Sequence, residues 1–342
     1  MTIVLVSVLV TAHSRMQYLL QAVRSVVEQP GGDRCEIVVV KNFDNKNIDN
    51  ELRALGVVLV NERSPSLGRK VAAGLRVTSG QVVCLLEDDD MFAPNKIATV
   101  KERFTANNEL TYYHNNYLFI DAQGCPIKND RFRRSSRNLL RKRGQIVVNG
   151  VETDGNLKCL SCIYPEFNNS CISIRRSALA DSIDFLECSG MLVDEFIFFA
   201  GLASGGVSVI DSKVATYIRR HNENASGMGI ESRSHQISRL SQLSTANVSG
   251  HEAVIAMMLE RHRPDLERLA RASYSVQAAL SLLREPGHPP LSYAKAFKTL
   301  IRYNSTYPVQ TRKALLPIVG LATLWPRFAQ IVYQAMRPFS AG

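Results

Sequence analysis

The chain has 342 residues, 45% of them hydrophobic and 21% charged, with a net charge of +10. That balance belongs to a soluble globular protein, long enough for two domains or for one large domain with an appendage. Its seven cysteines (Cys35, Cys84, Cys125, Cys159, Cys162, Cys171 and Cys188) are odd in number and scattered, which excludes a disulfide scaffold and points to a reducing, cytoplasmic compartment. The positive excess favours an anionic partner: a phosphate-bearing ligand, an acidic membrane or nucleic acid.

In chain order, Ile3–Val10 is apolar and β-branched and reads as the first strand. It lacks the basic flank and small-residue cleavage site of a signal peptide. His13-Ser14-Arg15 is a turn. Met16–Glu28 follows as a helix, with Leu19, Leu20, Val23, Val26 and Val27 on one face, closed by Pro30-Gly31-Gly32. Glu36–Val40 is a second strand. A short helix over Leu52–Val57 and a third strand, Val57–Val60, come next. Gly68–Val77 is a helix stopped by Ser79-Gly80, and Gln81–Leu86 is the fourth strand. Strands and helices in alternation imply a mostly parallel sheet with helices on both faces.

The strand Gln81–Leu86 runs directly into Glu87-Asp88-Asp89-Asp90. Carboxylates gathered at a buried strand end repel one another and rise in pKa unless a cation sits among them. A divalent metal shared with substrate phosphates meets that requirement, and the carboxyl ends of parallel strands are where open α/β sheets bind ligands. An acidic turn exposed to water is the bland alternative.

Beyond this point, Pro94–Phe104 reads as a helix, Thr111–Ile120 as a strand and Asp121-Ala-Gln-Gly124 as a turn. Arg131–Arg143 holds seven Arg or Lys in thirteen positions. The run reads as a solvated loop or as a surface for anionic lipid headgroups. With Phe132 as its one aromatic it argues against nucleic acid. Cys159-Leu-Ser-Cys162 has zinc or redox spacing but no second pair. Cys171–Ile174 is a strand, Val193–Ala203 a helix and Val207–Tyr217 a strand region. From about Ser232 the pattern is helical and is broken by Pro286-Gly-His-Pro-Pro290. The apolar stretch Ala314–Trp325 falls short of the about 20 residues that cross a bilayer. It remains readable as a core helix, an interfacial helix or part of a span.

Six segments, taken in order, resemble a family-2 glycosyltransferase of the GT-A fold. Ser7-Val-Leu-Val-Thr-Ala-His-Ser-Arg15 stands where that family has a strand followed by Pro-Thr-Tyr-Asn-Arg. Glu36–Val40 is similar to the second nucleotide-binding strand, and Ser66–Gly74 to the helix before the metal strand. Leu86-Glu-Asp-Asp-Asp90 with Pro94 is similar to Leu-Asp-x-Asp-Asp and its downstream proline. Asp194-Glu195 resembles the acidic pair that supplies the base, and Tyr217–Ser226 the closing Tyr-Arg-x-His motif. The resemblance covers about residues 3 to 228.

The resemblance implies a Rossmann-like GT-A domain over 1–230, with a nucleotide-sugar and metal half (1–125) and an acceptor half (126–230). A helical region, 231–342, follows and is a candidate for membrane association. It implies a metal-dependent inverting transfer of a sugar from a UDP- or GDP-linked donor to a glycan or lipid-linked hydroxyl. Mg2+ or Mn2+ would lie on Glu87, Asp89 and His221. Donor contacts would come from Thr11, His13, Arg15, Asn42, Arg69, Lys70, Asp88 and Asp90. Asp194 or Glu195 would be the base; the family writes Glu-Asp, and this chain inverts the pair. Gly190 upstream would let backbone approach the substrate closely. A second departure is Lys41-Asn42-Phe43-Asp44, where the family commonly has Asp-Asp-Gly-Ser, so Asn42 and Phe43 would meet the base. A nucleotidyltransferase or retaining transferase on a similar fold, and a catalytically silent nucleotide-sugar-binding protein, are the competing readings. The basic run and apolar C-terminus together place the work at the cytoplasmic face of a membrane.

Overall fold

The computed structural model describes residues 4–14, 16–31, 35–128, 134–149, 165–221, 224, 233–285, 287–303 and 309–336. The first half alternates strand and helix: β1 (Val6–Ala12), α1 (Leu19–Val27), β2 (Glu36–Lys41), α2 (Lys46–Ala54), β3 (Val58–Asn61), α3 (Leu67–Val77) and β4 (Val82–Glu87). Then come β5 (Met91–Phe92), α4 (Lys96–Ala106), β6 (Leu110–Ile120), α5 (Arg134–Arg143), β7 (Gln145–Asn149), β8 (Ile172–Arg175), α6 (Ile183–Glu187), α7 (Val193–Ala203) and β9 (Val207–Arg219). Five helices close the chain: α8 (Arg233–Glu260), α9 (Pro264–Arg284), α10 (Pro290–Arg302), α11 (Val309–Ala322) and α12 (Pro326–Met336).

The nine described strands form one sheet in the order β3-β2-β1-β4-β8-β6-β9-β5, with β7 also on β9. β3, β2, β1 and β4 are mutually parallel, as the alternating pattern requires. β8 then enters antiparallel between β4 and β6, and the short β5 and β7 pair antiparallel with β9. The expected elements form, with two corrections. The helix expected from Leu52 starts six residues earlier, because the Asn45 side chain accepts from the Asn47 and Ile48 N–H groups and caps it. The basic run expected as a solvated loop is helical over its described part, with Leu140 buried; residues 131–133 lie outside the described residues.

Side-chain alternation along the parallel strands builds a core on each face. Val6, Val8 and Val10 of β1 pack with Leu19, Val23 and Val26 of α1. Leu9 points the other way, toward Val71 and Leu75 of α3 and the apolar helix α7. α3 lies so close to β1 that a Cβ on Gly74 would stand 2.1 Å from a Leu9 methyl. Met257 and Met258 of α8, with Leu266 and Ala270 of α9, join this second core. The rest of α9 and α10–α12 share a separate core around Leu283, Tyr293, Leu300, Val319 and Tyr333. The apolar stretch from Ala314 is therefore a packed helix with Leu315, Ile318 and Val319 inside. Among the described residues no helix is long and apolar enough to cross a membrane.

Candidate active site

Parallel pairing aligns the carboxyl ends of β1, β2 and β4. Thr11 lies beside Val40 on one side and Glu87 on the other, so the residues just past each strand meet at one edge. The acidic turn follows β4 there, and Asp88, Asp89 and Asp90 are all buried. An exposed acidic turn is thereby excluded.

The four carboxylates divide into two sets. Asp88 turns toward β1, where its Oδ2 accepts from the His13 N–H at 2.9 Å, while its own N–H donates to the Thr11 carbonyl at 3.1 Å. The His13 ring nitrogen Nδ1 lies 3.1 Å from Asn42 Nδ2 and 3.2 Å from Lys70 Nζ. Thus Thr11, His13, Asn42, Lys70 and Asp88 converge. Lys70 is buried, and burial pushes its ammonium below its ordinary pKa against the pull of Asp88 and Glu62. Arg69, one position earlier on α3, is exposed, since neighbouring helical residues point about 100° apart. Arg15 lies outside the described residues.

Glu87, Asp89 and Asp90 form the second set, with one carboxylate oxygen from each within 4.8 Å of the others. Burial, then the charges of Asp89 and Glu87, drive the Asp90 carboxyl well above the ordinary range, although Ser170 and the Arg219 N–H donate to it. Asn169 Nδ2 donates to Glu87 Oε1 at 2.9 Å. His221 Nε2 lies 3.0 Å from Asp89 Oδ2, and Asn224 Nδ2 donates to the same oxygen at 3.3 Å. Three close-packed carboxylates, Asp89 and Asp90 buried and Glu87 partly so, with the His221 imidazole on Asp89, are donor chemistry that fits a hard divalent cation. Sequence reasoning set Asp90 apart from the metal group; in the fold its carboxylate lies within 4.8 Å of those of Glu87 and Asp89.

Arg219 supports the whole turn and was not singled out in the sequence. It is fully buried at the end of β9. Its Nε donates to the Asp89 carbonyl at 2.8 Å, its Nη1 reaches the carbonyls of Asp121 and Ala122, and its guanidinium sits 4.4 Å from the Tyr18 ring centroid. The His221 ring packs on the same Tyr18 ring at 5.1 Å.

A cavity of about 270 Å³ opens beside the second set. Its lining includes Glu87, Asp89 and Asp90, Asn168, Asn169 and Asn247, and Asp194 and Glu195 in the first turn of α7. Asp194 Oδ1 accepts from the Glu195 N–H at 2.9 Å. Glu195 Oε1 lies 3.4 Å from Nδ1 of the buried His251 on α8. A lone histidine in a long helix gave no signal in the sequence. Gly190, expected to let backbone approach the substrate, lies between α6 and α7; its carbonyl accepts from the Gly68 N–H of α3 at 2.8 Å, and its φ of +62° is a backbone state open to glycine. Cys159 and Cys162 lie outside the described residues.

Comparison with known proteins agrees with this geometry. The family described as Glycosyl transferase family 2 matches residues 7–179. An uncharacterized glycosyltransferase of Rickettsia bellii (strain RML369-C) is 23% identical over 125 residues; the match spans 35% of this chain and 18% of that relative's own length. Among solved structures, S. aureus TarS 1-349 in complex with UDP-GlcNAc superposes with a TM-score of 0.57 at 12% identity, covering 98% of this chain and 90% of that one. A longer S. aureus TarS structure gives a TM-score of 0.54 at 11% identity, over 96% of this chain and 54% of its own length. At such identities the likeness speaks for the fold, and the family match spans half of the chain. With its GT-A fold and the matched segment spanning β1 to β8, this chain belongs to glycosyl transferase family 2.

Proposed function

We propose that the protein transfers a sugar, with inversion, from a uridine-diphosphate donor to a hydroxyl of a glycan or lipid-linked acceptor. The observation that carries this reading is one cavity lined by both the Glu87, Asp89 and Asp90 carboxylates and the Asp194–Glu195 pair. A leaving diphosphate and an acceptor hydroxyl need those two kinds of group on opposite sides of one sugar carbon. UDP-GlcNAc and UDP are the ligands of S. aureus TarS, which supports uridine as the base.

Glu87, Asp89 and Asp90, with His221 on Asp89, would hold Mg2+ or Mn2+, which as a Lewis acid neutralises charge on the departing diphosphate. Thr11, His13, Asn42, Lys70 and Asp88 bind the nucleotide end of the donor, with Arg69 reaching from the α3 surface; Arg15 is assigned to the donor by the sequence motif alone. The buried ammonium of Lys70 gains an anionic partner when the diphosphate arrives. On the acceptor side, Asp194 or Glu195 takes the hydroxyl proton. The acceptor oxygen then forms its bond to the anomeric carbon as the bond from that carbon to the phosphate oxygen breaks. One proton moves to the carboxylate, and the electron pair leaves with the diphosphate.

Calorimetric titration of wild type and Asp89→Ala with UDP- and GDP-sugars, with and without Mn2+, tests the donor site. Binding of one UDP-sugar that needs Mn2+ and disappears in the variant is expected. Stereochemical analysis of the product by NMR tests inversion, and release of pyrophosphate in place of a nucleoside diphosphate would identify a nucleotidyltransferase instead. No binding to any donor would favour a silent fold.

A further inference from the structure

α12 reverses the usual polarity of a surface helix. Ala329, Gln330 and Tyr333 are buried against the C-terminal core. On the opposite side Phe328 and Ile331 are 56% and 63% exposed, and Leu324 and Trp325, just before the helix, are 68% and 61% exposed. The spacing 324–328–331 makes a single stripe along the helix. A helix that buries one face normally shows water polar residues on the other, and a contiguous exposed apolar stripe marks a binding surface.

The charge of the C-terminal sequence points to the partner. From Pro286 to Gly342 the sequence contains Lys295, Lys298, Arg302, Arg312, Lys313, Arg327 and Arg337, and no Asp or Glu. Lys295, Lys298 and Arg302 are exposed at helical spacing along α10, and Arg327 is exposed beside the stripe. A second copy pairing through this face would set basic side chains against basic side chains, with Glu285, whose carbonyl accepts from Gln330 and whose carboxylate lies 3.5 Å from His288, as the acid next to α12. An anionic bilayer offers the complement: acyl chains for Phe328 and Ile331, a headgroup layer suited to the Trp325 indole, and phosphates for the cations.

We propose that the Leu324–Ile331 stripe is a docking surface for an anionic lipid bilayer, seated in the interface and not across it. This assignment is independent of the sugar-transfer reading. Trp325 is the chain's single tryptophan, so its fluorescence reports on the stripe directly.

The full chain is titrated with vesicles of phosphatidylcholine alone and of phosphatidylcholine and phosphatidylglycerol in equal parts. A blue shift of Trp325 emission and co-sedimentation are expected with the anionic vesicles only. Both should weaken in 1 M salt, where the screening length falls to about 3 Å. Phe328→Ser/Ile331→Ser should abolish both while leaving the circular-dichroism melt unchanged, since these side chains face solvent. Lys295→Gln/Lys298→Gln should reduce vesicle affinity severalfold. No shift with either vesicle overturns the proposal. So does undiminished binding by the serine double variant, or a lipid-free shift that grows with protein concentration, which would make a second copy the occupant.

Discussion

His221 Nε2 lies 3.0 Å from Asp89 Oδ2, although 132 positions separate the two residues. The contact joins the end of β9 to the turn after β4, and Asn224 donates to the same carboxylate oxygen. Whether His221 ligates a metal or orients Asp89 for it, its removal leaves a buried carboxylate less well held. His221→Ala should weaken Mn2+ binding about 10- to 100-fold. Mn2+ titration of the donor-bound protein by calorimetry measures this, and an unchanged affinity would remove His221 from the site.

Asp90 sets a pH signature for the protein without metal. Burial first, and Asp89 and Glu87 next, raise its pKa in the folded state. A raised carboxyl favours folding while it is protonated, below the unfolded value near 3.8, and that contribution is lost as pH rises through the folded value. Metal-free wild type should therefore lose melting temperature relative to Asp90→Asn as pH rises from acid to neutral. Divalent metal should restore the wild type more than the variant. Thermal melts across pH with chelator or Mn2+ check this. Parallel pH curves for the two proteins would show that Asp90 is not held in a repelling cluster.

Much of this was legible because the signals were local. β1, β2 and β4 are apolar runs with turn residues at their ends, and α7 was bounded correctly from Val193 to Ala203. The acidic turn was readable because four adjacent carboxylates after a buried strand demand an explanation. What escaped depends on contacts distant in sequence. β5 is two residues long and exists because Met91 and Phe92 pair with Tyr217 and Thr216. β8 inserts antiparallel through partners some 60 to 90 residues away, which periodicity does not encode. Arg219 looked like one more cation in a basic motif, and its burial follows from the Asp89, Asp121 and Ala122 carbonyls gathering around it. The split between Asp88 and Asp90 was equally hidden, since only the turn's geometry sends one to His13 and the other to Ser170.

Lys70 should act on donor affinity. It is buried, donates to the Ser64 carbonyl at 2.9 Å and faces His13. Burial lowers its pKa, so holding its charge costs the folded state free energy that an incoming diphosphate offsets. Loss of a hydrogen bond to a charged group is worth about 1.5–3 kcal/mol. Lys70→Met should accordingly raise the donor KM roughly 10- to 100-fold with a smaller effect on kcat. Its melting temperature without donor should be unchanged or higher. A variant that melts early and keeps its donor KM would make Lys70 a structural cation.

The two acidic residues of α7 are distinguishable by what holds them. Asp194 accepts from the Glu195 N–H in the first helical turn, where a carboxylate complements the helix dipole by about 0.3–1 kcal/mol. Glu195 lines the cavity as Asp194 does, but its buried Oε1 lies 3.4 Å from His251 Nδ1. Glu195→Gln should lower kcat by roughly 10²- to 10⁴-fold while leaving donor binding intact. Asp194→Asn should cost stability and a smaller part of kcat. His251 acts through Glu195, so His251→Ala should reduce kcat with the donor KM unchanged, and in a Glu195→Gln background it should reduce kcat little further. Steady-state kinetics and melts of the four proteins decide the matter. If Asp194→Asn shows the larger kcat loss and His251→Ala adds fully to Glu195→Gln, the base is Asp194 and the histidine serves only the packing of α8 on α7.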